Sequence, residues 1–203
     1  MYRKFLIVMG LLLTAVALLL CSCAKKVESS GVQAPATDSD GAAVVLASEY
    51  MPLNLGNSWT YRRDMLGEKG TLKVSIDRKE NGFYVDNQGG MFRLDSIGLR
   101  DQSRYLLKNP IYKGSQWRAQ VRYNQAERFE ILDDAAVVAV PAGTFKNCII
   151  VKSSTILKPG KMMVNRLTYA PHVGMIRAET WIEGENDTRA QQVLLELESY
   201  VLP

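Results

Sequence analysis

Apolar and polar residues alternate one for one along much of the chain beyond residue 70. In "TLKVSID", Leu72, Val74 and Ile76 share one face, and Thr71, Lys73 and Ser75 share the other. In "WRAQVRYN", Trp117, Ala119, Val121 and Tyr123 oppose Arg118, Gln120, Arg122 and Asn124, and "RFEI" continues the rhythm from Arg128. In "GMIRAETWIE", Ile176, Ala178, Thr180 and Ile182 oppose Met175, Arg177, Glu179, Trp181 and Glu183. A period of two belongs to strands with one dry face and one wet face, the pattern of antiparallel sheet. Turn chemistry divides the runs: Asn81-Gly82, Lys158-Pro159-Gly160-Lys161 and Gly184-Glu185-Asn186-Asp187. The pattern predicts an all-β fold with minor α content: a curved antiparallel sheet, an open half-barrel or something barrel-like. "RAQQVLLELESYVL" is rich in helix formers, yet Val193, Leu195 and Leu197 alternate, which favours a strand. A short helix is expected near Ser48–Met51 or around Gln102–Lys108.

One eight-residue phrase occurs twice. "PLNLGNSW" (Pro52 to Trp59) and "PIYKGSQW" (Pro110 to Trp117) share Pro-apolar-x-x-Gly-x-x-Trp at an offset of 58. Pro cannot donate to a ladder and should lie outside the strands. Gly56 and Gly114 permit a turn that other residues resist, and each Trp then falls near the start of a strand. The phrase reads as an entry device into a strand. Its repetition is either coincidence or the mark of two similar halves.

The N-terminus speaks to location. Arg3 and Lys4 precede an uncharged apolar stretch from Phe5, which ends in Leu20-Cys21-Ser22-Cys23-Ala24. A basic start, an apolar core and a small-residue exit describe a secretory signal. The exit is similar to the lipoprotein box, in which a Cys becomes the acylated N-terminus, and Cys23 is the lipidation candidate. The expected division is a lipoprotein signal peptide over 1–22, a lipid-anchored flexible tether over 23–47, and one β-rich envelope domain over 48–203. The tether expectation rests on the Ser, Gly, Ala, Pro, Thr and Asp of "ESSGVQAPATDSDGAA". A retained membrane helix is the other reading of the apolar stretch, which is long enough to span. An acylated Cys23, carrying palmitate or a similar chain, would hold the protein firmly to a membrane. The expected location is the bacterial cell envelope, lipid-anchored, at the outer membrane facing the periplasm.

Composition removes several chemistries. The whole chain carries formal charge +4, and loss of Arg3 and Lys4 with the signal leaves +2. A balance so near neutral argues against nucleic acid as a partner. Of three Cys, Cys21 leaves with the signal and Cys23 is acylated, so Cys148 has no internal partner and reads as a small buried hydrophobe. The single His172 leaves no metal cluster and no nucleophile–base pair in view, so neither metal nor cofactor is expected. Asp133-Asp134 reads as a turn. The arginines beside aromatics (Tyr61-Arg62-Arg63, Arg104-Tyr105, Trp117-Arg118, Arg122-Tyr123, Arg128-Phe129) read as a wet face backing a dry one.

Three phrases in order carry a resemblance: "PLNLGNSWTY", "VPAGTFKNC" (Val140 to Cys148) and "YAPHVGM" (Tyr169 to Met175). Together they resemble a family of bacterial secreted proteins and lipoproteins with a β-rich domain of unknown function. That family is similar in fold to lipoprotein carriers of the Lol type, whose curved sheet forms an open half-barrel around acyl chains. The resemblance implies a fold and suggests an apolar ligand; it brings no catalytic residues. The expected function is therefore non-catalytic: a lipid-anchored envelope protein that binds an apolar ligand or a partner envelope protein on its sheet. The candidate lining or core residues are Trp59, Leu72, Val74, Ile76, Trp117, Val121 and Tyr123. An assembly scaffold without a cavity is the alternative, and an envelope enzyme a third.

Overall fold

The structure, a computed structural model, describes residues 45–203 apart from Asn124, Asn186 and Asp187, with backbone alone at Val121 and Arg122. The signal, Cys23 and nearly all of the expected tether lie outside the described residues. Alternating sequence becomes strand as expected: β1 (Ser58–Met65), β2 (Glu68–Glu80), β3 (Phe83–Asp86), β4 (Met91–Asp95), β5 (Gly98–Arg100), β6 (Tyr105–Lys108), β7 (Gln116–Arg122), β8 (Gln125–Val140), β9 (Gly143–Lys158), β10 (Lys161–Ala170), β11 (Gly174–Glu183) and β12 (Arg189–Val201). They form one antiparallel, nearly closed barrel-shaped sheet in the order β6-β5-β4-β3-β2-β1-β12-β11-β10-β9-β8-β7. The helix-rich tail is strand β12, since Leu195 and Leu197 fall on the dry side and burial outweighs propensity there.

The order resolves into two six-stranded meanders, β1–β6 and β7–β12, joined where β1 pairs with β12. Each meander opens with the repeated phrase. Asn57 N–H donates to Asn54 O and Ser115 N–H to Tyr112 O, which closes a four-residue turn in each copy. The third turn residue is Gly56 at φ 87° in one and Gly114 at φ 86° in the other, the left-handed position of a type II turn. Each turn is clamped to the hairpin partner in the same way. Gly56 N–H bonds Ile76 O, whose residue returns its N–H to Asn57 O; Gly114, Ile131 and Ser115 repeat the pattern. Trp59 and Trp117 then occupy the second residue of their strands. The halves share this opening and their strand number, but β3–β6 are far shorter than β8–β12.

The hairpin turns follow their sequence chemistry. Asn81 and Gly82 both take positive φ between β2 and β3, as a two-residue hairpin twisted with its strands requires. Pro159-Gly160 and Pro141-Ala142 link β9 to β10 and β8 to β9.

Three expectations are corrected. Gln102–Lys108 is no helix: Asp101 Oδ1 accepts the N–H groups of Ser103 and Arg104 at 2.7 and 2.8 Å, which fixes a turn, and β6 follows. Asp133-Asp134 is not a chain turn either. It lies within β8, where the ladder is bulged on both sides of Asp133, and Asp134 Oδ2 accepts Lys113 N–H. The folded part also begins before Ser48. Ala47 is fully buried in the 3-10 turn Ala47–Glu49, and Ile111 N–H bonds Val45 O.

That leading segment closes one end of the barrel. Ala47, Tyr50 and Leu53 are buried in the same core cluster as Trp59, Ile149, Tyr169, Ile176 and Leu197. Tyr50 Oη donates to Asn147 O at 3.0 Å, and Glu49 O accepts His172 N–H. The opposite end is framed by the β1–β2, β7–β8, β9–β10 and β11–β12 turns, because the strands alternate in direction.

Candidate functional site: the open end of the barrel

Register sorts the inward-facing residues into layers. In the deepest layer Trp59, Tyr61, Ile149, Tyr169, Ile176 and Leu197 are all buried. Two phenols sit among them, and burial pushes both upward from their ordinary range, so Tyr61 and Tyr169 stay neutral. Tyr61 Oη donates to Met175 O at 2.8 Å and the Trp59 indole N–H to Val173 O at 2.6 Å. This layer is dry and filled.

The next layer runs as one row through seven strands: Ile131, Val151, Leu167, Ala178, Leu195, Arg63, Gly70. Ile131 and Val151 are buried, but Leu167, Ala178 and Leu195 are only half-buried although they face inward. Leu72, across from Tyr61 on β2, is likewise half-buried. Leu167, Leu195 and Leu72 pack against the buried core and still keep part of their surface open to water. Eight strands make a barrel that side chains just fill, and a larger strand number widens the interior.

The third layer holds a polar run among Trp117, Phe129, Val193 and Met65. Ser153 and Asn165 are register partners, as are Asn165 and Thr180. Thr180 Oγ1 donates to Asn165 Oδ1 at 2.9 Å, Asn165 Nδ2 to Ser153 Oγ at 3.1 Å, and Ser153 Oγ to Glu127 Oε1 at 2.6 Å. Glu127 is 2% exposed. Its other oxygen accepts from Arg104, whose Nε also donates to Asp101 Oδ2. The chain of bonds thus crosses β8 to β11 and then the gap to the turn before β6. Buried polar groups so fully partnered are held rigidly.

One charged group faces inward without such support. Arg63 lies half-buried in the otherwise apolar second layer, two residues beyond Tyr61 on the dry face. Its side chain rests over Gly70, where a Cβ would stand 3.0 Å from Nε. Nε is buried and has no hydrogen-bond partner, and Nη1 reaches only Met65 Sδ at 3.6 Å. Arg63 forms no ion pair with any described residue. Arg63 and Arg104, the latter paired with the buried Glu127, correct the expectation that the arginines beside aromatics all belong to the wet face; Arg62 and Arg118 do lie outside and exposed.

The sequence-predicted residues divide. Trp59, Ile76 and Trp117 are core, at 1%, 2% and 9% exposure. Leu72 and Val74 are half-buried against that core, and Val74 pairs with Trp59. Trp117 stacks on Phe129 at 5.1 Å, away from the β1–β2 group, and donates its indole N–H to Tyr105 O across the gap between β7 and β6. Val121 lies in β7, its side chain outside the described residues. Tyr123 does not share the dry face: β7 ends at Arg122, and Tyr123 stands in the following turn, 94% exposed. Arg63, Leu167, Ala178, Leu195 and the polar run of the third layer went unpredicted. Their signal was parity: Arg63 falls at i+4 from Trp59, and Ser153 at i+2 from Val151.

Among the described residues no group of three or more His, Cys, Asp or Glu could hold a metal ion. Cys148 is fully buried in β9 and burial pushes its thiol up, away from the reactive thiolate. A separate cleft of about 370 Å³ lies between the β9–β10 and β11–β12 turns, lined by Lys158, Lys161, Glu185 and Thr188, on the rim and outside the barrel.

No protein-family model matches the sequence. No curated protein matches it either. Two solved structures are similar in shape. One is described as a "putative exported protein with YmcC-like fold" from Bacteroides fragilis, at 16% identity and TM-score 0.42, covering 75% of this chain and 99% of that one. The other is described as a "putative lipoprotein" from Parabacteroides distasonis, at 14% identity and TM-score 0.39, with the same coverage. At these scores neither likeness bears on what this chain does.

Proposed function

We propose that the chain is a lipid-anchored protein of the bacterial cell envelope whose barrel holds an apolar ligand in its open end. The observation that supports this most is the half-buried state of Leu167, Ala178, Leu195 and Leu72, all facing inward. Apolar surface left in contact with water at the mouth of a concavity gains free energy, at about 25 cal/mol per Å², when a ligand covers it. The plugged end and the filled deepest layer give such a ligand a floor. The polar run of Ser153, Asn165 and Thr180 stands nearer the rim, between the apolar row and water. Membrane attachment rests on Cys23 and places the barrel beside a lipid source. No step of bond-making is proposed.

Native mass spectrometry of the full chain, purified from its own host in a detergent stripped in the gas phase, tests both parts. The expected spectrum shows the mass of an acylated Cys23 N-terminus and an additional lipid-sized adduct that survives detergent removal. The Cys23→Ala chain should lose the acyl mass and take up no radioactive palmitate. An unmodified wild type sinks the anchor, and a bare protein mass sinks the ligand.

A further inference from the structure

We infer that Arg63 is an anion-binding residue inside the barrel, and that the ligand is an anionic amphiphile: a carboxylate or phosphate head joined to an alkyl chain. This rests on the ligand-holding reading above and names its substrate class.

A guanidinium needs partners for its donors and for its charge. It carries five N–H donors and stays charged at any physiological pH. Taking it from water without partners is costly, and chains normally avoid it by pairing or by letting the head reach solvent. Other inward or partly buried arginines in this protein follow that rule. Arg104 is held by Asp101 and Glu127, Arg166 by Glu179 through two bonds of 2.7 and 3.0 Å, and Arg177 by Glu196. Arg63 has no anionic partner: its register neighbours are Leu195 and Gly70, its guanidinium hydrogen-bonds only a thioether sulfur among the described residues, and its buried Nε, like that of Arg177, is unpartnered.

The surroundings set the ligand's other half. Leu195, Ala178 and Leu167 continue the same row on three successive strands, and Leu72 lies two residues from Gly70 on β2. An alkyl chain laid along this row would cover half-buried apolar surface while its head met the guanidinium. Of the buried and half-buried carboxylates, Asp101 and Glu127 are satisfied by Arg104, and Asp86 accepts the amide N–H groups of Gln88 and Gly90. Glu127 is on β8, five strands round the sheet from β1, so its charge does not compete at Arg63. Gly70 contributes too. With no side chain at Gly70, the guanidinium has room to rest over β2, where a Cβ would stand 3.0 Å from its Nε. A planar fork of donors matches the paired oxygens of a carboxylate or phosphate.

The test uses the full chain in membranes of cells that express it. Three photoreactive probes share one alkyl chain bearing a diazirine and differ at the head: carboxylate, phosphate monoester or alcohol. Crosslinks are located by mass spectrometry on peptides covering β1 and β10–β12. The carboxylate or phosphate probe, or both, should label these peptides at least about tenfold more than the alcohol, the discrimination expected of a charge-assisted hydrogen bond. Comparison of those two arms distinguishes a fatty acid from a phospholipid-like head. Arg63→Gln should bring the anionic probes down to the alcohol's level and leave the alcohol unchanged. Arg63→Lys should retain part of the preference, because the charge remains while the fork is lost. Folding of each variant is read from its circular dichroism and melting. Equal labelling by all three probes, unaffected by Arg63→Gln, overturns the anion inference but leaves an apolar ligand standing. No labelling of these peptides by any probe overturns both.

Discussion

At the scale of single residues, the repeated phrase explains itself by one backbone angle. A Cβ at Gly114 would meet nothing within 4 Å, and at Gly56 only Pro203 Cγ at an ordinary 3.5 Å. Any cost of Gly→Ala at either site is therefore backbone strain from a positive φ, about 1–2 kcal/mol. Gly56→Ala and Gly114→Ala should destabilise the protein by equal amounts within experimental error, as read by urea denaturation. A free substitution at one of them would mean that the two turns are not the same device. Asp86 offers a second residue-scale test. Its side chain is 6% exposed, and Oδ1 accepts the N–H groups of Gln88 and Gly90 at 2.9 and 2.6 Å. Burial raises its carboxyl above the ordinary value, outweighing the lowering by those amide bonds. The folded state then holds this proton to higher pH than the unfolded state. Stability from Asp86 is complete below the unfolded value and is lost as pH rises through the folded one. Asp86→Asn keeps an Oδ1 acceptor without the charge. Its stability relative to wild type should climb through the carboxylate range and then level off, measured by denaturation across that range.

At the scale of elements, the sheet is closed by side chains where it lacks backbone bonds. β6 and β7 end the strand order, and what spans them is the Trp117 indole on Tyr105 O and the Arg104–Glu127 pair. On one side of this seam lie β4, β5 and β6, of three to five residues each; on the other, β8 and β9 pair as sixteen-residue strands. Local opening free energy follows such differences in packing and pairing. Amides of Gly98–Arg100 and Tyr105–Lys108 should exchange with deuterium well before those of Val151–Thr155. Trp117→Phe, which keeps the stack on Phe129 but removes the indole donor, should speed exchange at Tyr105–Lys108 several-fold and leave β9 and β10 unchanged. Uniform protection across the seam would show that backbone pairing closes it. The elements themselves were legible wherever alternation was clean, as in β2, β7 and β11. Closure was not, because it depends on which strand ends up beside β1. The pairing of β1 with β12 joins residues some 140 apart, such as Trp59 and Tyr200, and no local pattern encodes it. The 102–104 turn was misread for a different reason: a carboxylate capping two amides imitates the start of a helix until the strand after it is seen.

At the scale of the whole molecule, the question is whether the interior is a container or a filled core, and the sequence could not decide it. Alternation reports only that Leu72, Ala178 and Leu195 face inward. Whether other side chains reach them depends on strand number, since an eight-stranded barrel would bury the same residues. The dry-face rule also concealed polar inner positions: Ser153, Asn165 and Arg63 fall at the parity of the core but read as breaks in the pattern. Ala178 gives a direct test. It has the smallest side chain of the row between Leu167 and Leu195, and it is half-buried. If water fills the space above it, Ala178→Phe projects into that space, and stability should change by less than about 1 kcal/mol. If side chains fill it, overpacking should cost about 1–3 kcal/mol. The container reading requires a second result from the same variant. The new ring occupies the ligand's volume, so the lipid adduct in the native mass spectrum should fall sharply while the melting temperature holds. A variant that melts early and keeps its adduct would place the ligand elsewhere and make this interior an ordinary core, as the scaffold reading demands.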